Sequence, residues 1–129
     1  MKDLNQSISQ ALPAAAANNN SGTIDLGTST AGNVEDVALL IEVPALPALV
    51  DAKTVIITVQ DSADGVTFAA VADIGVVTLT GAGGVGTSAF AKEVKIPFNC
   101  RRYLRFNQAV LTAGGDNTAK STTLSVITK

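Results

Sequence analysis

The chain has 129 residues, 47% of them apolar and 16% charged, with a net charge of −2, which suits one domain around one core. Histidine and tryptophan are absent, and Cys100 is the only cysteine. These zeros exclude Ser-His-Asp and Cys-His catalysis, histidine metal sites, an internal disulfide and a Cys-x-x-Cys redox pair.

Residues 1–22 are rich in Ala, Asn, Gln and Ser, with Met1, Leu4, Ile8 and Leu12 as the large apolar side chains. Such a segment buries too little apolar area to fold alone. It is predicted as an extended N-terminal arm that orders only against something else, with a helix plausible only around Leu4–Leu12, limited by Pro13. No apolar stretch precedes Ala14–Ala17, so no secretory signal is expected, and no apolar run reaches the length of a bilayer-spanning helix. Residues 23–129 are read as the folded domain.

Val, Ile and Thr supply 36 of the 129 residues, and their stiff side chains favour pleated strands. Thr23–Leu26 alternates briefly and stops at Gly27, and Val37–Val43 is a nearly continuous apolar strand ended by Pro44 and Pro47. Lys53–Gln60 is a strong strand that runs into Asp61–Gly65, an Asp-Gly turn. Val66–Ala72 and Val76–Thr80 are weaker strands, and Gly81–Gly86 reads as a flexible loop. Ala89–Ile96 alternates with one defect at Lys92. Arg102–Leu111 puts Leu104 and Phe106 on one face and Tyr103, Arg105 and Asn107 on the other. After the turn at Gly114–Asn117, Ala119–Thr128 closes the chain with Leu124 and Val126 inward. About eight strands at short spacing predict an all-β fold, a single jelly-roll-like β-sandwich. Its expected core is Ile24, Leu26, Leu40, Val55, Ile57, Val59, Phe68, Val94, Ile96, Leu104, Phe106, Leu124 and Val126.

Several motifs carry less chemistry than their letters suggest. Gly81–Gly86 spells G-x-G-x-x-G, but it leads into an alternating strand rather than the helix a dinucleotide site needs. Asp61 and Asp64 lack the acid spacing of a calcium loop. Glu35 and Asp36 are adjacent and would point to opposite faces of a strand. Asp25 is expected to bond nearby backbone. Cys100 beside Arg101 and Arg102 has no base or resolving thiol to work with, so a packing role is expected.

Charge is uneven, with a balance of −7 over residues 1–91 and +5 over residues 92–129. A sandwich interleaves such halves, so mixing on the surface and docking of opposite patches both stay open. The most distinctive stretch is Arg101-Arg102-Tyr103-Leu104-Arg105-Phe106. Arginines interleaved with aromatics can bind nucleic acid, but an acidic chain with a pI near 4.8 favours a protein partner.

A polar Ala/Asn/Ser-rich arm runs into Ser21-Gly22-Thr23-Ile24-Asp25-Leu26-Gly27. It is followed by Thr58-Val59-Gln60-Asp61-Ser62-Ala63-Asp64-Gly65, and Ile96-Pro97 stands ahead of Arg102-Tyr103-Leu104-Arg105-Phe106. Together these resemble the small jelly-roll capsid cement, or head decoration, proteins of tailed bacteriophages, over most of residues 15–129. Met1–Leu12 and the Gly81–Gly86 loop depart from that pattern. The resemblance implies a non-enzymatic structural protein, made in the host cytoplasm, that sits on the outer surface of the virion capsid. It would bridge subunits of an HK97-fold major capsid protein and associate with itself as a homodimer or homotrimer. It implies no cofactor, no metal, no small-molecule substrate, no direct nucleic acid and no membrane. The expected contact residues are Arg101, Arg102, Tyr103 and Arg105 on the strand and Ile8 and Leu12 on the arm. A carbohydrate-binding or adhesin-like sandwich is the alternative, although Tyr103 is the single tyrosine and sugar-stacking aromatics are scarce.

Overall fold

The computed structural model describes residues 2–25, 37–72, 74–95 and 101–128. They form ten strands, with no helix among the described residues. One antiparallel sheet runs in the order β1 (Lys2–Ala11), β10 (Ser121–Thr128), β4 (Val37–Val43), β8 (Phe90–Lys95). In the other, β9 (Tyr103–Val110) lies against β5 (Thr54–Ser62). Short β2 (Asn18–Asn20) and β3 (Ile24–Asp25) pair with β9. On the far side, β6 (Ala69–Ala70) and β7 (Val76–Thr80) pair with β5. The all-β sandwich read from the sequence is the fold observed.

Period-2 patterning decides what lies between the sheets. In β5, Val55, Ile57 and Val59 face inward, paired in register with Val110, Gln108 and Phe106 of β9. From the first sheet, Leu39, Ile41 and Val43 of β4 and Leu124 and Val126 of β10 meet them in one apolar cluster. Each such side chain contributes roughly 1.5–3 kcal/mol on burial.

Two expected core residues lie elsewhere. Leu40 is half-buried on the outer face of β4 with Glu42, the one charged residue in a run whose other six positions are apolar and carry no parity signal. Pairing with β10, which sets Ile41 opposite Leu124 and Leu39 opposite Val126, selects the inward set. Phe68 is half-buried under Arg105 rather than in the core. Val94 packs against the core from the sheet edge. Leu26 and Ile96 lie outside the described residues.

The segment expected as an arm is built into the sandwich. Its first half is β1, antiparallel to β10 with Ile8 opposite Leu124, and not a helix. Leu12 is 2% exposed in the common core, and β2 joins the second sheet. Low apolar content does prevent this segment from folding alone, but strand pairing within the chain supplies the partner. Hydroxyl pairs Ser7–Ser125 (3.0 Å) and Ser9–Thr123 (2.8 Å) line the outer side of that pairing. From the opposite sheet, buried Gln108 donates its Nε2 to the carbonyls of Gln10 (3.1 Å) and Ala11 (2.9 Å), stitching the end of β1 to β9.

Candidate interaction surface

The start of β9 brings together the residues singled out in the sequence. Leu104 and Phe106 are buried while Tyr103 and Arg105 lie half-buried on the outer face, as strand parity requires. Arg101 stands just before the strand and turns to Asp61. Its Nε and Nη2 donate to Asp61 Oδ1 at 2.9 and 2.6 Å, its Nη2 also reaches the Asp61 carbonyl, and its backbone N–H meets Oδ2 at 3.1 Å. Arg102 grips Asp25 as a two-pronged fork, Nε to Oδ1 at 2.7 Å and Nη2 to Oδ2 at 2.9 Å, with its guanidinium 5.0 Å from the Tyr103 ring centroid. Arg105 donates Nε to Gln60 Oε1 at 2.8 Å and lies 4.0 Å over the Phe68 ring.

Strand pairing brings these partners into reach. Gln60 sits opposite Arg105, and Asp25 sits opposite Tyr103, next to Arg102. Asp61 is the inward-parity residue that follows Val55, Ile57 and Val59. A carboxylate on a core-facing position needs a cation or several donors, a signal that reading Asp61 as part of a turn passes over. Its mate could not be read locally, because it comes from 40 residues away. Asp61 and Asp25 of the same chain pair with Arg101 and Arg102, leaving those arginine side chains 43% and 46% exposed. Asp25, expected to bond backbone, bonds a side chain.

The loop after β5 is fixed by its own side chains. Ser62 Oγ accepts from the N–H groups of Asp64 (3.2 Å) and Gly65 (2.9 Å) and donates to Asp64 Oδ1 (2.8 Å). Asp64 Oδ1 in turn accepts from the N–H groups of Val66 (2.9 Å) and Thr67 (3.0 Å). The N–H groups of Thr67 and Val66, followed by the Ser62 hydroxyl, lower the Asp64 pKa from 3.8 to about 2. Gly65, at φ +78°, would carry its Cβ 3.6 Å from the Tyr103 ring, so the loop lies against that ring and presents Val66 at its tip.

The two remaining sequence-selected contact residues do not join this cluster. Leu12 packs inside the chain's own core, which corrects its assignment as an outward contact, and Ile8 packs against the same core from β1. Glu35, Asp36 and Cys100 lie outside the described residues. At the opposite end of the molecule, a shallow groove of about 490 Å³ is lined by Glu42, Pro44, Phe90, Ala91, Ser121 and Thr123 among others. Glu42 is the one titratable group in that lining, so the groove offers no acid–base pair. No group of three His, Cys, Asp or Glu side chains suited to a metal occurs among the described residues.

The Gly81–Gly86 run does connect two strands, and backbone contacts tie it down. The N–H of Ala52 donates to the Gly81 carbonyl (2.9 Å), that of Gly84 to Asp51 Oδ1 (2.9 Å), and that of Thr87 to the Leu46 carbonyl (3.2 Å). Gly81 and Gly86 serve close approach of backbone to backbone, whereas Gly83 (φ +66°) and Gly84 (φ +72°) have room above them and supply left-handed backbone.

The sequence matches the family model described as Bbp16 over residues 6–126. No curated protein matches it. Among solved structures, the crystal structure of PBSX exported protein XepA superposes with a TM-score of 0.56 at 16% identity, covering 95% of this chain. The chain spans 37% of XepA, little more than a third of its length. A protein of the Bacillus endospore appendages, a family of disulfide-linked pili, superposes with a TM-score of 0.41 at 16% identity, covering 95% of this chain and 82% of that one. The likeness to XepA is one of fold, and the appendage match is too loose to carry an argument.

Proposed function

We propose that this chain, which belongs to the Bbp16 family, is a structural protein of a bacteriophage particle that binds the outside of the head and stiffens it. Its partners are an HK97-fold major capsid protein, across the seams between subunits, and further copies of itself. The observation that carries this reading is the fixed arginine–tyrosine end of the sandwich. Tyr103, Arg102 and Arg105 are the residue types that dominate protein interfaces, and here their heads are held by Asp25, Gln60 and the Phe68 and Tyr103 rings before any partner arrives. Side chains already ordered lose little entropy on docking. The resemblance of the flanking motifs to cement proteins points the same way. A protein that binds only the assembled shell stabilises it by mass action, and many weak contacts repeated over a shell add to high avidity.

Arg101 serves the surface indirectly in this reading, since its pair with Asp61 joins the start of β9 to the end of β5. Leu12, buried in the chain's own core, is given no contact with the shell. The test is to add purified protein to undecorated heads and measure co-sedimentation together with the melting temperature of the heads. Tyr103→Ala and Arg105→Ala should each weaken binding roughly tenfold or more, with the sandwich intact by circular dichroism. Heads that neither bind the parent nor gain stability from it, or variants that decorate as well as the parent, overturn the reading.

A further inference from the structure

The chain passes from the first sheet to the second between β1 and β2, and polar side chains gather at this crossing. Gln108 of β9 is fully buried, and its Nε2 donates to the carbonyls of Gln10 (3.1 Å) and Ala11 (2.9 Å). Asn19 stands directly opposite Gln108 in the pairing of β2 with β9, so both side chains leave the same face of the sheet. Its Nδ2 donates to the same Ala11 carbonyl at 2.9 Å, which sets the two amides side by side. Turning either amide over would put oxygen against oxygen, so in each the amide oxygen is the end left over. Thr122, also fully buried, stands opposite Gln10 in the pairing of β1 with β10. Asn19 Oδ1, Gln108 Oε1 and Thr122 Oγ1 are shut off from solvent and meet no hydrogen-bond partner within the chain. Among the described residues the other atoms in that position belong to Thr87 and Asn117, in loops elsewhere. One such atom is costly, and three at a single crossing call for a common partner.

We propose that this crossing is a binding site for one ordered water molecule. The water donates one hydrogen to Gln108 Oε1 and the other to Asn19 Oδ1, and it accepts the hydroxyl hydrogen of Thr122. Two acceptors and one hydroxyl match what a water offers, and internal waters typically hold about three such partners. The donor set decides against other small ligands. All three oxygens are neutral, whereas a divalent ion needs more oxygens and a carboxylate to offset its charge. An anion would meet oxygens rather than donors, since the Gln108 amide nitrogen already serves two carbonyls. Exposed Ala11 borders the site and gives the water a short route to solvent. Through this one molecule β2, β9 and β10 are tied together where β1 ends. It supplies the partners that strand pairing cannot supply where a chain changes sheets.

The test uses the purified full chain and does not depend on head binding. A high-resolution crystal structure should show a well-ordered water within hydrogen-bond distance of Gln108 Oε1, Asn19 Oδ1 and Thr122 Oγ1 together. Thr122→Val reads the same site by the sign of its effect. Valine keeps the shape of threonine and suits a strand at least as well, so only the hydroxyl is lost. If that hydroxyl holds the water, the unfolding equilibrium constant in urea should rise roughly fivefold, the effect of one lost hydrogen bond. Removing a buried hydroxyl that has no partner would lower the constant instead. Thr122→Ser keeps the hydroxyl and should keep the water in its crystal structure. A parent structure without this water, a water that misses any of the three oxygens, a Thr122→Val chain as stable as the parent or more so, or a Thr122→Ser chain that lacks the water each overturns the proposal.

Discussion

Where β9 begins, the sandwich is closed by side chains: Arg101 on Asp61, Arg102 on Asp25, Arg105 on Gln60 and Phe68, and a loop folded around the Asp64 carboxylate. Where β9 finishes, three loops are packed backbone against backbone. Val50 N–H donates to the Gly114 carbonyl and Ala52 N–H to the Gly81 carbonyl, and glycines stand where a methyl group has no room. At Gly86 (φ +70°) a Cβ would overlap the Leu46 carbonyl oxygen, and at Gly115 (φ +89°) it would overlap that of Ala48. The exposed residues differ accordingly. The first end shows charged and aromatic groups with Val66 at its loop tip, whereas the second shows Val50, Val85 and Leu111. The first arrangement depends on ionisation and can be tuned by salt and acid. The second depends less on ionisation and is intolerant of one added carbon.

The sharpest way to break that contrast is Gly86→Ala. It adds a methyl to a left-handed backbone position and drives it into backbone that cannot swing aside, so a loss of about 3 kcal/mol is expected in urea unfolding. A loss below roughly 1 kcal/mol, the cost of the conformation alone, would mean that the loop moves freely. At the charged end, Asp61→Ala should cost about 2 kcal/mol, because it strips the buried acceptor from both the guanidinium and the backbone N–H of Arg101. Asp25→Ala removes a pair of equally good geometry but with both side chains 46% exposed, so its cost should stay under about 1 kcal/mol and shrink with salt. Equal losses for the two would show that burial does not govern this end.

Acid separates the ends more gently. Asp64 has its folded pKa lowered to about 2 from 3.8, so its contribution is complete above pH 3.8 and is lost as pH falls toward 2. Asp116, in the loop of the glycine end, is also lowered, by the hydroxyl and then the N–H of Thr118. The urea midpoint should therefore decline from pH 4 to 2 (a window set by the two Asp64 values). Asp64→Asn should remove more of that decline than Asp116→Asn. An equal or reversed effect would show that the loop after β5 is not the more carboxylate-dependent of the two.

Part of the charged end was legible in advance. Alternation around Leu104 and Phe106 placed Tyr103 and Arg105 outward, whereas Asp61, read as the start of a turn, continues β5 on the inward parity of Val55, Ile57 and Val59. The partners were not legible, because Asp25 and Arg102 are 77 residues apart and meet only through the pairing of β3 with β9. The close packing of the glycine end was not legible for a related reason. A glycine required for freedom and one required for closeness are the same letter, and only the atoms lying over it distinguish them.

Composition and period-2 patterning by themselves determined that this chain is all-β, and they identified part of its core and the faces of β5 and β9, because side-chain alternation is a local property of the extended backbone. Tertiary structure alone decided that residues 2–11 are an edge strand rather than an arm, that Leu39 rather than Leu40 faces inward, and which carboxylate each arginine holds. Those outcomes depend on register between strands distant in sequence, and a one-residue shift in register reverses every face without changing a letter.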